Sequence, residues 1–124
     1  MSLEQVRSII KSIDSGDISP VYLFMGEEPY YIDVLSQYIE HNVLPKSERG
    51  FNQVVLYGRD TRIEEIIEYA KKYPMMAERQ VIIVKEAQDL SRTIEQLSDY
   101  ASQPLVTTVL VLCYKYKKLD LNIV

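Results

Sequence analysis

Cysteine, histidine and tryptophan are nearly absent from this chain of 124 residues, which has one cysteine, one histidine and no tryptophan. A lone cysteine forms no internal disulfide, and Cys113 and His41 together cannot supply the ligands of a structural zinc site. Basic residues are also in the minority, since 14 Lys and Arg stand against 18 Asp and Glu and give a net charge of −4. Without a basic excess, we do not expect the chain to bind a nucleic-acid backbone by itself.

Long hydrophobic runs are missing too. No apolar stretch approaches the roughly 18 residues that a membrane helix needs, and the start MSLEQVRSII has no basic flank followed by an apolar block, so it does not resemble a secretory signal. We therefore expect a cytoplasmic protein without a membrane partner. Hydrophobic residues make up 47% and charged residues 26% of the chain, which is typical of a globular domain with a core of its own.

Four short apolar runs predict buried β-strands. They are rich in β-branched residues and do not alternate with polar ones, as is typical of strands covered on both faces of a parallel sheet. The runs are Val21–Met25, Val54–Tyr57, Val81–Val84 and Val109–Cys113.

Stretches with helical spacing precede each of these runs. A first helix is predicted over Leu3–Ile13 with Gly16 as its stop, and a second begins at Pro29, because proline suits the first turn of a helix. Strands and helices that alternate in this way predict a parallel sheet with right-handed crossovers and helices on both faces.

Two further helices carry terminal signals of their own. Thr61 and Glu64 have the T-x-x-E spacing of a capping box, and their helix is expected to end at Tyr73, because a proline disfavours helical geometry in the residue before it. Ser91 is the predicted cap of the last helix, and Pro104 follows the end of that helix.

The turn after the first strand is the first place to look for a ligand, because open parallel sheets bind ligands beyond the carboxyl ends of their strands. It reads GEEP at positions 26–29 and lacks the second glycine, the lysine and the hydroxyl of a G-x-x-x-x-G-K-[ST] phosphate loop. Lys85 follows the third strand where P-loop ATPases carry an acidic residue for magnesium, which leaves Glu86 as a solvated strand end. We expect no cofactor, no metal and no catalytic residue.

The remaining candidates for chemistry are isolated. Cys113 at the end of an apolar strand is expected to be a small core residue, and His41 a favourable group at a helix carboxyl end. An alternative from another class stays open at this point. It is a doubly wound enzyme domain that binds a small molecule or nucleotide in the crevice at the strand ends, and it predicts a measurable ligand.

One connection carries two adjacent methionines. Tyr73, Pro74, Met75 and Met76 form what we call the methionine segment, which lies between the third helix and the third strand, where connections are normally polar and exposed. Consecutive turn residues do not easily both point into one core, so at least one methionine is expected at the surface. An exposed, flexible apolar side chain suits a protein-binding surface. The alternative is that both methionines fill gaps under the helix.

Four segments in order make the chain resemble the N-terminal domain of the bacterial DNA polymerase III delta subunit family, over about residues 20–120. The segments are VYLFMGEEPYYID, FNQVVLYGRD, IEEIIEYAKKYPMMAERQVIIVKEA and TTVLVLCYKYKKLD. The resemblance implies a degenerate AAA+ (P-loop-like) α/β module that has lost its nucleotide site, with helices flanking a parallel sheet of strand order 1-4-3-2. It also implies that Met75 and Met76, where the family often has Leu and Phe, form a wedge for an apolar pocket of the β sliding clamp.

The resemblance implies further regions as well. The family's sheet has a fifth strand beside the first, followed by a helical lid and by a collar domain that joins the other clamp-loader subunits, and none of these follows Asp120. We therefore expect residues 1–124 to be a single N-terminal domain of a longer protein, which reaches DNA only indirectly through the complex. Its expected function is to bind the β clamp through Tyr73–Met76 and to help open the ring during DNA replication, without enzymatic activity.

Overall fold

A computed structural model describes residues 1–90 and 94–116, and its helices and strands alternate along the chain. The elements are α1 (Leu3–Asp14), β1 (Val21–Gly26), α2 (Pro29–Asn42), α3 (Arg49–Asn52), β2 (Gln53–Tyr57), α4 (Ile63–Lys71), β3 (Gln80–Lys85), α5 (Leu97–Ser102) and β4 (Thr108–Lys115). Short 3-10 helices lie at Lys46–Glu48, Ala87–Leu90 and Ile94–Gln96.

Within the described residues, four parallel strands form a sheet of order β1-β4-β3-β2, which confirms the predicted order. The central strands β3 and β4 are buried along almost their whole length. Along β3, Val81 and Ile83 pack into the core on one face, and Ile82 and Val84 pack into the core on the other. Burial on both faces explains why these strands read as continuous apolar runs.

Helices cover the two faces of the sheet. On one face α1 and α2 pack around Ile32, Leu35 and Ile39, and on the other α4 and α5 pack around Ile66 and Leu97. Each of these side chains is at most 1% exposed. The core therefore consists of two apolar layers, one on each side of the sheet, and their burial is the main favourable contribution to folding.

Several predicted helix ends are confirmed. Gly16 has a φ of +87° and, with the residue after it, donates N–H groups back to the last turn of α1, which is the Schellman arrangement. Pro29 occupies the first turn of α2, and the Glu28 carboxylate accepts a hydrogen bond of 3.1 Å from the Tyr30 N–H. Gly26 has a φ of +150°, a backbone geometry that favours glycine.

The two predicted ends of α4 are wrong. Arg62 is the N-cap residue, and the Thr61 hydroxyl is buried without a hydrogen-bond partner among the described residues. The helix ends at Lys71 and not at Tyr73, because the backbone is already extended at Lys72, with φ −76° and ψ 153°. The proline restricts only the residue before it, so it sets a latest possible end for the helix and not the actual one.

The last predicted helix is shorter than expected. Ser91, its predicted cap, lies outside the described residues. In the described part, the 3-10 helix at Ile94–Gln96 leads into α5, and the predicted apolar positions Ile94 and Leu97 are buried. Neither α3 nor the 3-10 helix at Lys46–Glu48 was predicted, because elements this short carry no periodic apolar stripe.

Gly58, directly after β2, packs closely against the backbone at Glu86, directly after β3. A Cβ added at Gly58 would overlap the backbone carbonyl of Glu86, whereas a Cβ at Gly50 meets nothing within 4 Å. We predict that Gly58→Ala lowers the free energy of unfolding by about 1 to 3 kcal/mol. Gly50→Ala, in the short helix α3, should be neutral or stabilise by up to about 1 kcal/mol. Urea unfolding of the two variants measures both effects, and equal stabilities would contradict this packing.

Candidate functional site

The methionine segment lies at the amino-terminal edge of the sheet, in the connection from α4 to β3. Met76 is fully exposed, and 63% of Met75 and 74% of Tyr73 are exposed. Pro74 is half-buried. The expectation that at least one methionine reaches the surface is confirmed, and the alternative that both fill the core is wrong.

The buried side chain of Asn52, at the end of α3, holds the backbone of this segment. Its Nδ2 donates to the Met75 carbonyl at 3.0 Å, and its Oδ1 accepts from the Met75 N–H at 2.6 Å. Nδ2 also lies 3.3 Å from the Glu48 carbonyl. One side-chain amide thus satisfies both backbone polar groups of Met75, so the backbone of Met75 is held in place while its side chain is exposed.

Buried polar side chains also hold the carboxyl end of α4. Nε2 of Gln80 donates to the Tyr69 carbonyl at 3.0 Å and to the carbonyl of Lys72, and Oγ1 of Thr108 donates to the Ala70 carbonyl at 2.7 Å. The last carbonyls of a helix have no partner within the helix. Because β3 and β4 supply these partners, the point where α4 ends and the methionine segment begins is tied to the sheet.

Met76 itself has a strained backbone. Its φ is +55°, in the left-handed region, which costs a residue with a side chain about 1 kcal/mol or more. Strained residues persist where the surrounding structure holds them, and they are concentrated at functional sites. The hydrogen bonds of Asn52 to the preceding residue supply such a hold.

The carboxyl edge of the sheet, where a doubly wound enzyme would bind its ligand, carries ion pairs. Nζ of Lys115 lies 2.7 Å from Oδ1 of Asp33 and 3.5 Å from Oε1 of Glu86, and Nζ of Lys85 lies 3.8 Å from Oε1 of Glu40. Burial alone would lower the pKa of Lys115, but the hydrogen bonds and charges of Asp33 and Glu86 outweigh it and the pKa is raised. Glu86 is therefore an ion-pair partner and not the solvated strand end that we expected.

Cys113 and His41 have the structural roles that were predicted. Cys113 is 1% exposed, and burial raises the pKa of its thiol to about 11, which fits the predicted small core residue. His41 lies in the last turn of α2, with Nδ1 2.8 Å from the Gln37 carbonyl.

Neither a metal cluster nor a membrane helix is found in residues 1–90 and 94–116. In that part of the chain, no three His, Cys, Asp or Glu side chains come together in a way that could hold a metal ion. No helix there is both long and apolar enough to span a bilayer.

The chain is similar to known proteins in both sequence and structure. A sequence model described as "DNA polymerase III, delta subunit" matches residues 22–123. The DNA polymerase III subunit delta of Bacillus subtilis (strain 168) is 28% identical, in an alignment that covers 93% of this chain and 36% of the relative. The solved structure of a Bacillus subtilis DNA clamp loader delta protein matches with a TM-score of 0.80 and 28% identity, over 94% of this chain and 37% of that one.

Over most of its length the chain has the fold of a DNA clamp loader delta protein. The chain belongs to the DNA polymerase III delta subunit family, which confirms the resemblance seen in its four sequence segments. It spans little more than a third of the length of the relatives described above.

Asn52 was not predicted as a site residue, because nothing in the local sequence pattern marks it. Its partner Met75 is 23 residues away, and the pairing exists only once the methionine segment has folded against α3. The one available signal is an asparagine directly before a strand, which is too common in turns to be informative.

We predict that Asn52→Ala lowers the free energy of unfolding by about 1 to 3 kcal/mol, because both backbone polar groups of Met75 lose a partly buried partner. Hydrogen exchange at the Met75 amide should become faster in the same variant. Asn42→Ala is the control, since the exposed Asn42 side chain bonds the Tyr38 carbonyl one turn away, within its own helix. If Asn52→Ala matches the wild type in both stability and exchange, Asn52 does not hold the segment.

Proposed function

We propose that this chain binds the ring-shaped sliding clamp and that Met75 and Met76 insert into an apolar pocket of the ring. The observation that carries the proposal is the fully exposed Met76 side chain on a backbone held in a strained geometry. A contact whose backbone is already ordered loses less conformational entropy on binding. The flexible thioether side chains can still adapt to the shape of a partner's pocket.

The proposed mechanism is mechanical, and the chain supplies no chemistry of its own. The methionine segment follows directly on α4, whose carboxyl end is bonded to Gln80 of β3 and Thr108 of β4. The segment, α4 and the sheet therefore move as one body when the methionines bind. We propose that α4 then presses on an interface between the clamp's own subunits and favours an open ring.

Contacts with the other clamp-loader subunits would be made by regions that residues 1–124 do not include. We propose that residues 1–124 are the N-terminal domain of a longer delta subunit, and that a collar region of that protein joins the other clamp-loader subunits. DNA is then reached only through the assembled complex, which agrees with the net charge of −4. The proposed location is the cytoplasm, as for bacterial replication proteins in general.

Binding of a nucleotide or small molecule by a doubly wound enzyme domain is the alternative function. Such a site would need free cations at the carboxyl edge of the sheet to neutralise phosphates. The lysines at the ends of β3 and β4 are paired with carboxylates instead. This pairing supports the clamp-binding proposal over the alternative.

For ATP with magnesium, we predict no binding with a dissociation constant below about 100 μM, which corresponds to about −5.5 kcal/mol. The physical reason is that the turn after β1 offers no lysine and the lysines at the strand ends are already paired. Calorimetric titration measures this directly. A tighter dissociation constant would favour the enzyme alternative.

The double substitution Met75→Ala, Met76→Ala tests the proposed binding site. Apolar anchors at the centre of an interface commonly cost 2 kcal/mol or more when truncated, so the affinity for the clamp should fall by at least ~30-fold. The melting temperature should stay nearly unchanged, because both side chains are exposed. The readouts are clamp binding by surface plasmon resonance and thermal unfolding of the same preparation.

Leu3→Ala is the control for this substitution, because Leu3 is a partly exposed apolar side chain of α1 that lies outside the proposed contact. It should bind the clamp as the wild type does. A large loss of stability in the methionine variant, with unchanged affinity in the folded fraction, would remove these residues from the binding site.

A further inference from the structure

Phe51 is a second exposed apolar side chain next to the methionine segment. It is 80% exposed, although phenylalanine is among the residues most often buried. It lies in α3, directly before Asn52, whose side chain bonds both backbone polar groups of Met75. The backbone next to Phe51 is therefore tied to the backbone of Met75 by hydrogen bonds.

The topology brings Phe51 and the methionine segment to the same edge of the sheet. Strands β2 and β3 are parallel neighbours, with Gln53 paired with Val81, and neighbouring strands lie about 4.8 Å apart. Both connections enter their strands at the amino-terminal edge. A groove of about 520 Å³ lies between them, lined by Val43, Leu44, Pro45 and Glu48 on one side and by Met76, Ala77, Glu78 and Arg79 on the other.

Two methionines alone are a small contact for a stable complex. A specific protein interface buries about 800 Å² on each partner, and its dominant side chains are surrounded by further contacts that exclude water. The clamp must therefore cover more of this edge than Met75 and Met76. Phe51 offers a large apolar surface there, and its position is already tied to the segment.

We propose that Phe51 is a second anchor for the sliding clamp, contacting the apolar surface of the ring beside the pocket that receives the methionines. This inference rests on the proposed function, because its occupant is the same clamp. Asn52 follows Phe51 in the chain and bonds the backbone of Met75, so the partner meets both anchors on a backbone that is already ordered. Little ordering is then needed on binding.

The test is the affinity of Phe51→Ala for the clamp, compared with Tyr57→Ala. Tyr57 is a matched control, because it is an exposed aromatic residue at the opposite end of β2. We expect Phe51→Ala to raise the dissociation constant about tenfold, which corresponds to about 1.4 kcal/mol, with an unchanged melting temperature. Tyr57→Ala should bind as the wild type does. Phe51→Leu keeps an apolar side chain and should recover most of the lost affinity.

The outcomes separate this inference from the proposed function. If Phe51→Ala binds normally while Met75→Ala, Met76→Ala binds weakly, the second anchor is wrong and the clamp-binding proposal stands. If the wild type does not bind the clamp, both are wrong. A loss of affinity in Phe51→Ala that Phe51→Leu does not restore, or that Tyr57→Ala shares, also overturns the second anchor.

Discussion

Burial of β3 and β4 on both faces determines where every other group in this domain lies. The two central strands fill the space between the helix layers with aliphatic side chains, so the sheet can offer a binding site only at the two edges where its strands begin and end. Each edge is then built differently. The amino-terminal edge displays Phe51, Met75 and Met76. At the carboxyl edge the lysines at the ends of β3 and β4 pair with carboxylates, beside the exposed Tyr57.

This difference between the edges is what favours a binding module over an enzyme. At the carboxyl edge, Lys115 is held between Asp33 and Glu86, in the region where related architectures bind ligands. At the other edge, buried amides from Asn52 and Gln80 hold the backbone that leads to Met76, at Met75 and at the end of α4. At this edge, buried polar side chains hold the backbone of exposed apolar residues. Such an arrangement suits contact with another protein and offers no group for catalysis.

Much of the fold was predictable, because long apolar runs and terminal signals are local features. The four strands, the ends of α1 at Gly16 and the start of α2 at Pro29 are all readable from neighbouring residues. The start of α4 could not be predicted in this way, because Thr61 has the spacing of a capping residue but its hydroxyl is buried. The candidate site was predicted only as far as the two methionines. Asn52 was missed because its role depends on a contact across 23 residues.

Site-specific photocrosslinking from position 76 tests the central claim most directly. A photoreactive amino acid replaces Met76 in one sample and Tyr57, at the opposite edge, in another, and each protein is irradiated with the sliding clamp. The account predicts crosslinks from position 76 to residues that line an apolar pocket of the clamp, and none from position 57. Crosslinks to the clamp from position 57 with none from position 76 would contradict it.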